Sequence, residues 1–113
     1  RWAVHYEQKL RRELQTRVHA FELFLTDCEE DLSACALNYP VQAEKRTIIH
    51  HLVQEASVLE IFDSQLHARI KEIDRRLRSI IREGECLADE RLCRVYPRTE
   101  FWWLYGAVAE QEN

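Results

Sequence analysis

The 113-residue chain has little glycine and proline, two of each, and no methionine. Such scarcity is unusual for a protein rich in strands or loops, because turns depend on both Gly and Pro. The chain also lacks any run of about 18 uncharged apolar residues, so we expect no membrane-spanning helix. With 32% charged residues and apolar residues at helical spacing, the sequence predicts an all-α protein.

The short length indicates one domain or one elongated module. No secretory signal pattern is visible, and we expect a cytoplasmic protein. The chain opens on Arg1 rather than Met, which would fit a fragment or a processed product.

The longest stretch without Gly or Pro runs from residue 41 to residue 83. From Leu59 onward its apolar residues recur at gaps of three and four, close to the seam of a coiled coil. We predict one helix over about 41–83, roughly 65 Å long at about 1.5 Å per residue. The seam consists of Leu59, Leu66, Ile70, Ile73, Leu77 and Ile80, with Phe62 between the first two.

A similar pattern predicts an earlier helix over about 3–37. Asn38-Tyr39-Pro40 interrupts it, since Asn tolerates the left-handed conformation that ends helices and Pro suits the first turn of the next. A turn at 38–40 favours an antiparallel, coiled-coil-like helical hairpin. After Gly84 we expect a short helix over about 85–93, which would complete a hairpin over 1–93 and leave an aromatic tail over 94–113.

The two predicted helices alone would leave apolar surface uncovered, because the second helix outruns the first. Pairing two hairpins into a four-helix bundle would cover both seams. We therefore predict a homodimer that self-associates through the seam residues.

The C-terminal segment is the most concentrated aromatic stretch of the chain. Each ring could bury roughly 150–250 Å², and exposed together they would form a sticky patch. The segment either folds back over its own hairpin or docks onto a partner protein, where aromatic anchors dominate binding energy. A membrane-interface anchor is a third interpretation, opposed by flanking glutamates. The candidate partner-binding residues are Phe101, Trp102, Trp103 and Tyr105.

Charge is unevenly distributed in a chain whose net charge is −4. Residues 1–17 and 69–82 are basic, whereas residues 18–68 are acidic. With a turn near residue 40, the two basic segments would be neighbours at the open end of the hairpin. That end could bind phosphate groups, or it could pair with the acidic half of a second subunit. The candidate anion-binding residues are Arg11, Arg12, Arg75, Arg76 and Arg78.

The four cysteines form two pairs, each separated by seven residues. On a continuous helix such a pair lies roughly 10.5 Å apart along the axis, beyond the Cα distance of about 4.4–6.8 Å that a disulfide needs. We therefore expect reduced thiols, while disulfides between the two arms or a zinc site stay open as alternatives. The residues are Cys28, Cys35, Cys86 and Cys93.

Catalytic patterns are not visible. His19, Glu22, Asp63 and His67 could meet across the hairpin as a metal site, but the diagnostic Glu-x-x-His order is missing. No nucleophile stands beside a base on an exposed turn, and no Gly-rich phosphate loop exists. We predict a non-enzymatic protein–protein interaction module, an adaptor, assembly factor or scaffold, without cofactor or metal. Its partners would be itself and an unidentified protein; a nucleic-acid-associated protein and a helical metalloprotein are the alternatives.

Overall fold

The computed structural model describes residues 2–109, and it is mostly helical, as the sequence predicts. Two long helices pack against each other, a third packs on the first, and a small antiparallel ribbon returns the chain to the helices. None of the helices in this range combines the length and apolar character that crossing a membrane requires. The elements are α1 (Trp2–Glu30), α2 (Leu32–Val58), α3 (Ser64–Ile80), β1 (Ile81–Cys86), α4 (Glu90–Val95), a 3-10 turn (Trp102–Leu104) and β2 (Tyr105–Val108).

The helical hairpin is confirmed, but it turns at Asp31 and not at the predicted position over 38–40. Asp31 is extended (φ −150°, ψ 96°), and its carboxylate accepts a hydrogen bond of 3.2 Å from the Ala34 N–H as the N-cap of α2. Pro40 lies inside α2, next to Tyr39, which is 1% exposed. Burial of Tyr39 in the core therefore outweighs the local cost of proline within a helix.

The predicted helix over 41–83 is two helices separated by a loop at 59–63. Glu60 has φ 60°, and the N–H groups of Glu60 and Ile61 donate to the carbonyls of Ser57 and Ala56 at 3.1 and 2.9 Å. This is a Schellman motif, in which the left-handed residue is usually glycine. Asp63 then caps α3 by accepting a hydrogen bond from the Leu66 N–H at 2.8 Å.

Helix α3 runs parallel to α1. Arg69 pairs with Glu22 and Arg76 pairs with Glu29, and both pairs have the same sequence offset of 47. The apolar side of α3 is covered within the monomer by this packing. Of the six predicted self-association residues, Leu66, Ile70, Ile73 and Leu77 are at most 7% exposed, Ile80 is half-buried, and Leu59 is 36% exposed in the loop.

The dimer was predicted because this seam would otherwise be exposed to solvent, and its burial within the monomer removes that reason. Four of its residues belong to the monomer's own core, so this surface is not available to a second hairpin. The break at 59–63 is the physical cause, because it lets the second half of the apolar stripe fold back onto α1.

The ribbon was not predicted. Residues 81–83 were expected to be helical and 105–108 to belong to the aromatic tail, yet Ile81 pairs with Val108 and Glu83 pairs with Gly106 in antiparallel register. The strands approach closely at Gly106, where an added Cβ would lie 2.5 Å from the Arg82 carbonyl oxygen. Residues 110–113 of the predicted tail lie outside the described residues.

The core is continuous from the hairpin into the C-terminal segment. The aromatic segment is therefore part of the same folded body as the helices. The largest fully buried side chains of this core are Trp103, Tyr39, Phe21, Leu14, Leu25, Ile49, Ile73, Leu77, Val18 and Cys28.

Candidate functional site

The aromatic segment packs onto its own helices, which is the first of the interpretations left open by the sequence. Trp103 is 1% exposed, its Nε1–H donates to the Thr47 hydroxyl at 2.9 Å, and its carbonyl accepts from the Tyr39 hydroxyl at 2.5 Å. Phe101 is 5% exposed and contacts the edge of the His50 ring, with centroids 4.8 Å apart. Neither side chain is free to anchor a partner in this structure.

The other two predicted anchors are half-buried and also have partners within the chain. The Arg78 guanidinium lies over the Trp102 ring, 3.8 Å from its centroid. The Tyr105 hydroxyl donates to the carbonyls of Tyr96 and Cys93 at 2.6 and 3.1 Å. Trp102 therefore links the 3-10 turn to α3, whereas Tyr105 holds β2 to the α4 region.

A buried arginine joins three parts of the molecule. Arg46 is 5% exposed and makes two hydrogen bonds of 2.9 Å to the Asp74 carboxylate on α3. Its Cζ lies 4.1 Å from the centroid of the Trp103 ring, while its Nη1 is buried without a partner among residues 2–109. Tyr39 lies nearby, and its own burial raises the pKa of its hydroxyl, so this hydroxyl stays protonated and donates a hydrogen bond.

The segment before Trp103 is fixed to α2 by histidines. His50 Nε2 lies 2.8 Å from the Glu100 carboxylate, and Gln54 reaches the same oxygen at 3.5 Å. The ring of His51 lies beside Tyr96, with centroids 5.9 Å apart. These contacts give both histidines a positioning role along the polar edge of α2.

The predicted basic end does not form, because α3 lies beside residues 22–29 of α1 and not beside residues 1–17. Arg12 and Glu29 are 17 positions apart on α1, about 25 Å along the axis at about 1.5 Å per residue. Arg76 pairs with Glu29 at 2.9 Å and Arg75 pairs with Glu72 at 2.5 Å. Arg78 is placed over Trp102, so Arg75, Arg76 and Arg78 are separated from Arg11 and Arg12 and engaged elsewhere.

The four residues of the metal alternative do not converge on one point. Glu22 accepts two hydrogen bonds from Arg69, at 2.6 and 3.2 Å, and these lower the pKa of the Glu22 carboxyl. His19 lies 3.7 Å from the same carboxylate, Asp63 caps α3, and the His67 ring lies against Phe62. Within the described part of the chain, no group of three His, Cys, Asp or Glu residues could hold a metal ion.

The cysteines form two disulfides, Cys28–Cys35 and Cys86–Cys93, with Cα atoms 5.0 and 6.2 Å apart. The expectation of reduced thiols is wrong for this structure, because it assumed that each pair lies on one continuous helix. Asp31 breaks the helix between Cys28 and Cys35, and Cys86 ends β1 while Cys93 lies on α4. Each disulfide thus links two elements across their junction.

A concave pocket of about 660 Å³ lies between α1 and α2. Lys9, Arg12 and Lys45 supply positive charge at its walls, and Phe21 and Gln42 are buried side chains that line it. Sequence reasoning missed this site, since a turn at residue 40 places residue 42 beside residue 38 and not beside Phe21. The available signal was Gln42 itself, a polar residue at the spacing of the buried face of α2.

No protein-family model matches the chain, and neither a curated protein nor a solved structure shows significant similarity to it. The candidate sites therefore rest on their own geometry.

Proposed function

We propose that this protein is a non-enzymatic interaction module whose binding surface is the outward face of α2. The observation that supports it is the exposure of three large apolar side chains on that face. Leu37 is 87% exposed, Val41 49% and Ile48 39%. Together they define the α2 outer stripe.

The three positions share one side of the helix, since residues spaced by four and seven lie on the same face. The opposite side of α2 is buried in the core through Cys35, Tyr39 and Ala43. A helix that is apolar on two sides is usually covered on both. The outer stripe therefore favours a partner that the isolated chain does not supply.

The partner that we propose is a second copy of the chain. An antiparallel two-fold pairing centred between Glu44 and Lys45 would place Glu44 of each copy opposite Lys45 of the other copy. The same axis would place Val41 opposite Ile48 of the second copy. Glu44 and Lys45 are exposed and have no ion-pair partner within residues 2–109, so both charges are available for this pairing.

Sedimentation velocity at protein concentrations from about 1 to 200 μM tests the proposal. The wild-type chain is expected to shift from monomer to dimer over this range, because a small apolar stripe gives micromolar rather than nanomolar association. Val41→Glu places a charge in the centre of the stripe and should keep the protein monomeric. The matched control is Val58→Glu on another face of α2, where Val58 is 82% exposed and dimerisation should persist.

A wild-type protein that stays monomeric up to 200 μM would refute the dimer. Loss of dimer in both variants would show that added negative charge, and not the stripe, is responsible. Circular dichroism of each variant establishes that the helices are retained.

The disulfides also support a proposal about location. Disulfides persist in secreted, periplasmic and other oxidising environments and are rare in the reducing cytosol. We propose an oxidising compartment in place of the cytoplasmic location expected from the sequence. Fractionation of the native host with an antibody to this chain, under thiol-blocking conditions, checks both the compartment and the redox state.

A further inference from the structure

We infer that the pocket between α1 and α2 binds a small organic anion with an apolar body. Its walls carry Lys9, Arg12 and Lys45, none of which has a carboxylate partner within residues 2–109. Among residues 2–109, Glu13 is the one carboxylate that lines the pocket, and it is already paired with Arg17 at 3.2 Å. In the proposed dimer Lys45 faces Glu44 of the second copy, which leaves Lys9 and Arg12 as the cations of the pocket without a carboxylate partner within residues 2–109. Two such cations beside one concavity, in a chain of net charge −4, favour an anionic ligand.

Gln42 supplies a polar group at the pocket wall. The residue is 8% exposed overall, and it lines the pocket without a hydrogen bond to another residue of the described range. Its amide N and O are in contact with solvent, because Arg46 Nη1 is the buried side-chain polar atom that lacks a partner within residues 2–109. A ligand oxygen in the pocket would accept from the Gln42 N–H groups in place of water.

The apolar part of the ligand would contact Ala20 and Thr16, which are exposed and line the pocket. Phe21 lies beneath them at the base of the pocket and is 1% exposed. The aliphatic stems of lysine and arginine also cover apolar surface while their charged ends stay near water. A free inorganic anion would leave this side of the pocket unused.

The volume of the pocket also fits a small organic anion. Pockets for small molecules commonly measure about 300–1,000 Å³, and this one measures about 660 Å³. The ligand class is thus a small carboxylate, sulfonate or phosphate ester on an aromatic or aliphatic body. Its anionic group lies at Lys9 and Arg12, its polar edge at Gln42, and its apolar body at Ala20 and Thr16.

The test uses two fluorescent probes that differ mainly in charge, anilinonaphthalene sulfonate and the neutral N-phenyl-1-naphthylamine. We expect saturable one-to-one binding of the sulfonate, displaced by decanoate, and binding of the neutral probe weaker by about tenfold. Lys9→Glu with Arg12→Glu should weaken sulfonate binding by about tenfold or more. Gln42→Leu should weaken decanoate binding several-fold and leave the helical signal unchanged.

The matched control is Lys71→Glu with Arg91→Glu, which changes the net charge equally at exposed positions outside the pocket. It should bind the sulfonate like the wild-type chain. Equal weakening in both double variants, or equal affinity for the two probes, would overturn the inference. Val41→Glu should keep sulfonate binding even where it abolishes the dimer, so this inference and the proposed function fail separately.

Discussion

At the residue scale, buried polar groups attach the C-terminal segment to the helices. The Tyr39 hydroxyl, the Thr47 hydroxyl and the Arg46 guanidinium all meet Trp103 or its backbone. Hydrogen bonds of this kind contribute little net stability, but losing one partner leaves the other buried and unsatisfied. They fix where Trp103 sits, whereas the burial of its ring supplies most of the favourable free energy.

The pair Glu22–Arg69 makes stability depend on pH. The hydrogen bonds from Arg69 lower the pKa of Glu22 below its ordinary value of 4.5 in the folded state. The stabilisation is present above the unfolded pKa and is lost as pH falls through the lower folded value. Glu22→Gln should therefore reduce the free energy of unfolding by about 1 kcal/mol at pH 7, and the difference should shrink towards pH 3.

Urea unfolding of both proteins at pH 7, 5, 4 and 3 measures this difference. Glu85→Gln, at an exposed carboxylate, is the control and should have a small effect at every pH. A Glu22→Gln effect that is as large at pH 3 as at pH 7 would show that charge is not the cause.

At the element scale, the position of helix breaks decides the architecture. The sequence predicted helices correctly from the spacing of residues such as Leu10, Leu14 and Val18, all of which are buried in α1. It misplaced the breaks because the usual signals are absent: Glu60 occupies a left-handed position where glycine is usual, and Pro40 lies within a helix. Asp31 was a readable signal, since acidic residues favour the beginning of a helix over its end.

The ribbon and the pocket depend on contacts that local patterns cannot predict. Residues 81–83 become a strand because residues 106–108 reach them, more than twenty positions later in the chain. The pocket exists because α1 residues around Phe21 lie opposite Gln42. With the turn displaced by several residues, the sequence could give the class of fold but not these pairings.

Glu60→Gly should stabilise the protein by about 0.5–1 kcal/mol, because glycine adopts the left-handed conformation without strain. Glu60→Ala keeps the Cβ atom and serves as the control, with no comparable gain. Thermal unfolding followed by circular dichroism gives both values. Equal stabilisation by Gly and Ala would mean that removal of the charged side chain, and not backbone strain, is responsible.

Gly106→Ala should destabilise the ribbon by about 1–3 kcal/mol, since the added methyl group meets the Arg82 backbone. Gly84→Ala is the paired comparison, because its Cβ would meet only the Gly106 Cα at 3.7 Å, an ordinary contact. Chemical denaturation should rank Gly84→Ala near wild type and Gly106→Ala well below it. The reverse order would contradict the strand register described above.

At the scale of the whole molecule, the chain is a flat body of 57 × 33 × 19 Å whose surface-to-volume ratio is high. A domain of this length has a limited core, and small domains often gain stability from disulfides. Cys28–Cys35 holds the turn between α1 and α2, and Cys86–Cys93 holds the end of β1 to α4.

Replacing either cysteine pair with serine should cost about 2–3 kcal/mol, the chain-entropy value for closing a loop of this length. Urea unfolding of the two double variants measures each contribution. Peptide mapping without reduction should find the pairs Cys28–Cys35 and Cys86–Cys93. Free thiols, or links between the two pairs, would contradict the structure.

Both disulfides join cysteines separated by seven residues, whereas any exchange of partners would have to close a loop of more than fifty. Loop-closure entropy favours the shorter loops by about 1.8 kcal/mol per bond in an unordered chain. Oxidation can therefore reach the native pairing early, before the helices have assembled, and with few scrambled species. Refolding of the reduced protein in a glutathione buffer should thus need little help from a disulfide isomerase.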